Sequence, residues 1–467
     1  MGLARQAILA VALCLVAAIL ILPRTAEAAG NCSAPASWFG GIPDVPTATP
    51  ASPCQFQQWA WQTFLALLDT SPAQPVPRYL TWDFPKPDMN ALFCQSVCGG
   101  TPKATFNICG GPPGQEVVNA TTQPGFAPID ASGTAQSGEV IDQAGNPVYF
   151  TAHVSPAWVS FVSSHDLGDP AVLAAADSRL AFPSGSFEIK TSWRLAEGMS
   201  QAERAQYFIT HACVIPEADR CPGGKAGCSF QADLALLGFH VTGGASNHPE
   251  LVWATFEHQF SAPDCDATPQ PGPWSLYDGV TDCRSQPSHC NQPNAKPQPG
   301  AAPPSNPTEV CRIYSHGGAT PDIGQQIDHL NRSVQAQLPP RSPLRFYQLI
   351  GTLWGLDPQP QVSVPVTNPD GTTGSVLQPI PTFNLTSPAG SPLLSNASLE
   401  TYKQGISCFG CHISQFPAEF SGLVAGWNGS VPPPATVLDK SLYVSHVVLF
   451  PYFFPTASCN CPAAPAR

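Results

Sequence analysis

The residues best suited to chemistry lie near the end of the chain, where residues 408–412 have the sequence Cys-Phe-Gly-Cys-His. Two thiols three positions apart on one helical turn can bond the two vinyl groups of one porphyrin, and the next histidine then reaches the iron. The alternatives are a plain disulfide and a thioredoxin-like redox pair, which would require a βαβ context that the sequence does not show. The spacing therefore predicts one covalent haem c on Cys408 and Cys411, with His412 as the proximal iron ligand.

The motif does not determine the second axial ligand of the iron. No methionine follows it, because the three methionines of the chain are Met1, Met89 and Met199. His446 is the one histidine after the motif, and it lies in an apolar run where a histidine is more often a hydrogen-bonded core residue. His446 and Met199 are therefore candidate distal ligands, beside the alternative of an open site or another ligand. The identity of this ligand can move the potential over ~0.8 V.

A second group of reactive side chains lies on a predicted hairpin, with His240 on one strand and Glu257 and His258 on the other. Two imidazoles and a carboxylate could bind a divalent metal or transfer protons. Strict alternation along a strand, however, places Glu257 and His258 on opposite faces, so convergence would need a bulge. We favour buried polar residues that are satisfied within a sheet. Glu188 and Lys190 share one strand face and could form a structural ion pair.

The elements that position these residues are predicted from caps and periodicity. Leu399, Tyr402 and Ile406 have the spacing of a short helix that brings the chain to the haem. Other helix starts are marked by Ser52-Pro53, Ser155-Pro156, Ser200 with Glu203 as a capping box, and Thr320-Pro321. The apolar stripes that follow these starts are expected to be core.

Strand-like runs occupy residues 147–154, 187–193, 233–241 and 251–260, and the last two are predicted to pair as a hairpin. The chain has 54 prolines and 38 glycines, which favours turns over long helices. These patterns predict an α+β fold, with a sheet-rich body, peripheral helices and a C-terminal segment that binds haem c. Residues 262–310, here called the excursion, are rich in Pro, Gln and Asn and are predicted to be stapled by disulfides.

The first residues predict the compartment. Arg5 precedes an apolar run over residues 7–22, and Ala26-Glu27-Ala28 resembles a cleavage site, so residues 1–28 are expected to be a secretory signal peptide. Besides Cys14 in this peptide and the two haem cysteines, 14 of the 17 cysteines remain, which fits disulfides in an oxidising periplasm. Zinc is the rival explanation for one cysteine group, formed by Cys94, Cys98 and Cys109.

The expected organisation has three parts, namely the signal peptide, the body over residues 29–390 and a haem attachment region over residues 391–467 that packs on the body. The formal net charge of −12 disfavours nucleic acid as a partner and predicts that a redox partner protein would dock through a basic surface. No later segment is apolar for long enough to predict stable membrane insertion.

Several runs together resemble a known family. They are Trp-Ala-Trp-Gln-Thr-Phe at residues 59–64, Glu-Ile-Lys at 188–190, Trp-Ala-Thr-Phe-Glu-His at 253–258, Tyr-Gln-Leu-Ile-Gly at 347–351 and Ser-Cys-Phe-Gly-Cys-His at 407–412. In this order they are similar to large monohaem cytochrome c proteins exported by proteobacteria. The resemblance covers most of the chain after the signal peptide. It implies haem binding and electron transfer but no substrate.

Three functions are compatible with these features. A periplasmic electron carrier with one covalent haem is the favoured hypothesis, because no known catalytic motif is present. A haem-dependent periplasmic oxidoreductase acting on a small molecule is the first alternative, since the body is far larger than haem attachment requires. A haem-based binding or sensing module is the second.

Overall fold

The structure is a computed structural model. It describes residues 32–46, 50–71, 75–81, 116–119, 139–165, 167, 180, 182–216, 220–221, 228–246, 248–294, 306–318, 320–355, 361–367, 373–379, 388–405 and 408. The predicted signal peptide, Cys411, His412 and His446 lie outside the described residues, as do Cys94, Cys98 and Cys109.

Within this part of the chain there are four α-helices and ten strands. The helices are α1 (Pro53–Leu68), α2 (Pro156–Ser164), α3 (Gln201–Arg204) and α4 (Pro321–Gln337). The strands are β1 (Glu116–Asn119), β2 (Tyr149–Val154), β3 (Phe187–Leu195), β4 (Ile209–Ile215), β5 (Phe230–Ala245), β6 (His248–His258), β7 (Tyr347–Gly355), β8 (Gln361–Thr367), β9 (Thr373–Pro379) and β10 (Pro388–Gly390). The prediction of a sheet-rich α+β body is confirmed.

Eight of the strands form one sheet in the order β10-β7-β6-β5-β3-β2-β1-β4. All neighbours in it are antiparallel except β1 and β4, which are parallel. The long strand β5 pairs with β4 through its first six residues and with β6 through its second half, so β5, β3, β2, β1 and β4 close on themselves. Strands β8 and β9 form a separate hairpin.

The predicted hairpin is confirmed as β5 and β6, which are longer than the sequence pattern indicated. In its register Gly238 pairs with Glu257 and His240 pairs with Thr255. The pairing of β5 with β3 shifts between Ser192 and Trp193, which is the mark of a β-bulge. The predicted strands at residues 147–154 and 187–193 correspond to β2 and β3.

All four predicted capped helix starts are confirmed. The hydroxyl of Ser52 accepts from Gln55 N, and Ser200 with Glu203 forms the complete capping box. That box opens only one turn, α3. At α4 the proline at the first helical position marks the start, because Thr320 makes no side-chain capping bond.

One face of the sheet is covered by α1 and α4, and this is where the main core lies. Phe64 of α1 stacks on Phe256 of β6, with ring centroids 4.2 Å apart. Trp61 is fully buried, and its indole N–H donates to Asn331 Oδ1 of α4 at 2.8 Å. The aromatic stripe predicted on α1 is therefore core.

The opposite face is covered by irregular chain. A second apolar cluster contains Leu276 and Val310 from the excursion together with Ala397 and Leu399 from later in the chain. Disulfides join Cys265 to Cys311 and Cys283 to Cys290, so the predicted stapling of the excursion is confirmed. Two further disulfides join Cys32 to Cys54 and Cys221 to Cys228.

Candidate functional site

The chain that leads to Cys408 lies directly on the sheet face opposite α1 and α4, which we call the polar face because buried polar side chains such as Glu257 line it. We call residues 391–405 the leader. Its close approach depends on glycines in the strands below, because a Cβ added to Gly238 would lie 2.7 Å from Asn396 Oδ1 and 2.8 Å from Ser192 Oγ. Gly351 of β7 is in the same position beneath Ser391, where an added Cβ would lie 2.7 Å from the Ser391 Cβ. Because these two glycines have no Cβ, the leader can pack directly against the backbone of β5 and β7.

Asn396 is the main hydrogen-bonding residue between the leader and the hairpin. It is fully buried, and its amide nitrogen donates to Thr255 Oγ1 at 2.8 Å and to the Phe256 carbonyl at 2.9 Å. Its Oδ1 accepts from the backbone N–H of Ser398 and Leu399 and from the Ser398 hydroxyl. Because every polar atom of this amide is satisfied in a fixed direction, the leader has one register on the sheet.

The predicted helix through Leu399, Tyr402 and Ile406 is wrong for the described residues. Residues 397–399 and 401–402 form turns, and only one helical bond, from Glu400 N to Asn396 O, is made there. The next carbonyl, Ala397 O, accepts from the Thr401 hydroxyl at 2.6 Å. A side-chain donor thus occupies the acceptor that helix propagation would use.

Glu400 ties the leader to β3 and β5 by charge. Both of its carboxylate oxygens lie 2.8 Å from His240 Nε2, and Lys190 is the register partner of His240 on β3. Burial alone would raise the pKa of Glu400. The positive charges of His240 and Lys190 outweigh it and hold that pKa below its usual value. The leader therefore presents an ionised carboxylate to two basic side chains of the sheet.

Glu257 joins the leader to the end of the excursion. The Glu257 side chain is fully buried, and its Oε2 accepts from Arg312 Nη2 at 2.5 Å while its Oε1 accepts from Ala397 N at 2.8 Å. Arg312 also contacts Asp264 at 2.5 Å. Burial would lower the pKa of Arg312, but the two carboxylates reverse this and raise it above its usual value. The buried Glu257 and Arg312 thus compensate each other, with Asp264 as a half-exposed second partner of Arg312.

His258 points to the other face of the sheet, away from Glu257. Its Nε2 donates to Gln206 O at 3.0 Å, its Nδ1 accepts from Phe260 N, and its ring stacks on Tyr207 at 3.7 Å. Burial, helped by the charge of Arg194, lowers the pKa of His258 to about 3, so the imidazole is neutral. His240, Glu257 and His258 therefore do not converge on one metal or substrate. The favoured interpretation as buried, satisfied polar residues is confirmed for Glu257 and His258, whereas His240 is satisfied but half-buried.

The last part of the leader borders a cleft of about 580 Å³. Gln404 fixes this edge, because its side chain donates to Cys311 O and accepts from Ile313 N, both at 2.9 Å. The cleft lies between the leader, at Tyr402 and Gly405, and the excursion, at Asp266, Arg284 and Pro287. Its volume falls within the ~300–1,000 Å³ typical of cofactor and small-molecule sites.

Two packed disulfides form part of the cleft wall. The Sγ atoms of Cys283, Cys290 and Cys311 lie within 4.8 Å of one another, a spacing that three metal-binding thiolates could have. Each of these sulfurs, however, is bonded to another cysteine. Because a metal needs the thiolate, this cluster is a rigid sulfur-lined surface rather than a metal site.

Cys408 lies close to the leader. It is half-buried, and its Sγ lies 3.6 Å from Leu394 O. Met199, one candidate distal ligand, is half-buried on the turn after β3 and packs against the second apolar cluster. Met199 is not among the described residues that line the cleft.

His316 is a candidate ligand that the sequence reasoning missed. Its Nδ1 contacts Asp328 at 2.5 Å, and within the described part of the chain no group hydrogen-bonds its buried Nε2. A carboxylate on one ring nitrogen is the usual arrangement of a metal-binding histidine. His316 precedes Gly317 and Gly318, which have φ of 82° and 52° and turn the loop against the leader at Leu393. In the sequence, the only indication of this loop and its histidine is the pair of glycines.

No protein-family model, curated protein or solved structure matches this chain. Among the described residues, no helix is both long and apolar enough to cross a bilayer.

Proposed function

We propose that this chain is a periplasmic c-type cytochrome that carries one haem c on Cys408 and Cys411, with His412 as the proximal iron ligand, and transfers single electrons. The observation that carries the proposal is the position of the Cys-Phe-Gly-Cys-His run. It begins at Cys408, directly after a leader that Asn396, Glu400 and Gln404 hold on the sheet.

The residues around Cys408 fit this group. Two cysteines and a histidine are the donor set of covalent haem, and a bound haem would supply one-electron iron chemistry. The rest of the chain would hold Cys408 in a fixed position, because the sheet, the excursion and the leader are joined by buried hydrogen bonds and ion pairs. An electron carrier requires such rigidity, since a fixed haem environment keeps the reduction potential constant.

Export is part of the proposal. Residues 1–28 have the pattern of a signal peptide, and four disulfides lie within the described chain. Disulfides of this density suit an oxidising compartment, where covalent haem attachment also takes place. The resemblance to exported monohaem cytochromes c has the same implication.

The distal ligand now has three candidates. His446 and Met199 come from the sequence, and His316 comes from the loop that turns against the leader. The surroundings of His316 suit a ligand, because Asp328 occupies Nδ1 and the buried Nε2 has no hydrogen bond from the described residues. Like Met199, His316 is not among the described residues that line the cleft.

The test is the electron paramagnetic resonance spectrum of the ferric protein, expressed with haem-maturation machinery. A low-spin ferric spectrum, with no rapid carbon monoxide binding once the protein is reduced, would support the electron carrier. A high-spin ferric spectrum, with rapid carbon monoxide binding by the reduced protein, would overturn it in favour of a haem oxidoreductase. Single variants His316→Ala, His446→Ala and Met199→Leu identify the ligand, because only loss of the true ligand converts low-spin iron to high-spin.

A further inference from the structure

We infer that the haem ring binds in the cleft between the excursion and the leader, where Arg284 pairs with the haem carboxylates. The inference rests on the proposed function and adds to it the part of the body that holds the cofactor. It is carried by the position of the cleft, by its wall and by its charge.

The position follows from chain length. Gly405 lines the cleft, and Cys408 is only three residues further on. Three extended residues span at most ~11 Å. A ring bonded to Cys408 can therefore reach this cleft.

The wall has the surface that a porphyrin face needs. It contains the disulfide sulfurs of Cys283 and Cys290 and the side chain of Ile313. Ile313 is 47% exposed, although most large apolar side chains of the described chain are buried. Cofactor sites are lined mainly by apolar atoms, and an apolar side chain left open in a cleft gains from being covered.

The charge of the cleft is also suited to haem. The chain is acidic overall, and this would repel the two carboxylates of a haem. Arg284 is the one cation among the described residues that line the cleft, and Asp266 is the one anion. An exposed guanidinium is the side chain that best pairs with a carboxylate.

The test uses the exported, full-length holoprotein and three variants. Arg284→Gln removes the cation, and Ile313→Glu adds an anion to the wall. Arg341→Gln is the matched control, because Arg341 is exposed and does not line the cleft. The readouts are haem content by intact mass and the reduction potential by spectroelectrochemistry at low and high salt.

The inference predicts that all three variants keep the haem. Arg284→Gln and Ile313→Glu lower the potential, because less positive surroundings favour the ferric state. The shift shrinks as salt screens the charge, and Arg341→Gln has the wild-type potential.

The inference is overturned if Arg284→Gln and Ile313→Glu match Arg341→Gln while the mass still includes haem. In that case the haem sits elsewhere, and the proposed cytochrome function stands. A wild-type protein without haem would overturn both.

Discussion

The two faces of the eight-stranded sheet are held by different interactions. On one face α1 and α4 pack aromatic side chains such as Phe64 against β6 and β7. On the other, the leader and the excursion share a smaller apolar cluster and are also held by directed contacts, from Asn396, Glu257 and Glu400. Apolar burial is non-directional and stabilises many similar packings, whereas a satisfied polar network permits only one. The face that positions Cys408 is therefore the polar one.

The strongest predicted change in stability comes from His258, which is fully buried. Because its folded pKa is about 3 and its ordinary value is 6.5, the unfolded chain binds the proton first as pH falls. The free energy of unfolding should therefore be unaffected above pH 6.5 and decrease as pH falls from 6.5 towards 3. The gap between the two pKa values corresponds to about 4–5 kcal/mol.

Urea unfolding across this range measures the effect. His258→Phe should remove most of this decrease in unfolding free energy with falling pH, while keeping the ring stack on Tyr207. Parallel profiles for the wild type and this variant would show that His258 is not the source.

The next effect tests the polar face. Glu257→Gln leaves the buried Arg312 with only Asp264 as a charged partner and should lower the free energy of unfolding by about 3–5 kcal/mol. Asp233→Asn, which breaks the half-exposed pair with Arg204, should cost no more than ~1 kcal/mol. Chemical denaturation compares the two. Equal losses would mean that the buried network is no more important than a surface pair.

A smaller effect is expected where the leader meets β5. The Cβ of Gly238→Ala would press on Asn396 and Ser398, which should cost about 1–3 kcal/mol. Gly40→Ala is the control, because an added Cβ there meets nothing within 4 Å. Adding Ser398→Ala to Gly238→Ala should recover part of the loss in thermal unfolding. No loss in the single variant would show that the leader does not rest on Gly238.

The smallest effect is the acid sensitivity of the leader itself. The folded pKa of Glu400 is lowered, so its contribution to stability is present above the ordinary value of 4.5 and is lost as pH falls below 4.5 through the folded pKa. Glu400→Gln should remove this low-pH component and leave the His258 component unchanged. The double variant with His258→Phe should be additive, since the two groups lie on opposite faces. An unchanged profile below pH 4.5 in Glu400→Gln would contradict this assignment.

The helix-covered face was largely predictable from sequence. Ser52 and Pro53 marked the start of α1, and the spacing of Phe56, Trp59 and Phe64 marked its buried side. The hairpin of β5 and β6 was also predictable, because period-two alternation and a turn-rich connection are local features. The same alternation predicted that the side chains of Glu257 and His258 lie on opposite faces of the strand.

The polar face was not predictable, because its contacts join residues far apart in sequence. Glu257 meets Arg312 and Ala397, and His240 meets Glu400, 160 positions away. No local pattern encodes such pairs. The helix expected at Leu399 failed for a related reason, because the Thr401 hydroxyl takes a backbone acceptor that helical periodicity assigns to the main chain.

Whether haem is covalently bound to this chain can be measured as the intact mass of the exported protein. The protein should be expressed with haem-maturation machinery and compared with the double variant Cys408→Ala/Cys411→Ala. We expect the wild type to be coloured and heavier than its processed polypeptide by one haem, and the double variant to be colourless with the polypeptide mass. A correctly exported wild type that is colourless, with the mass of the polypeptide alone, would contradict this expectation.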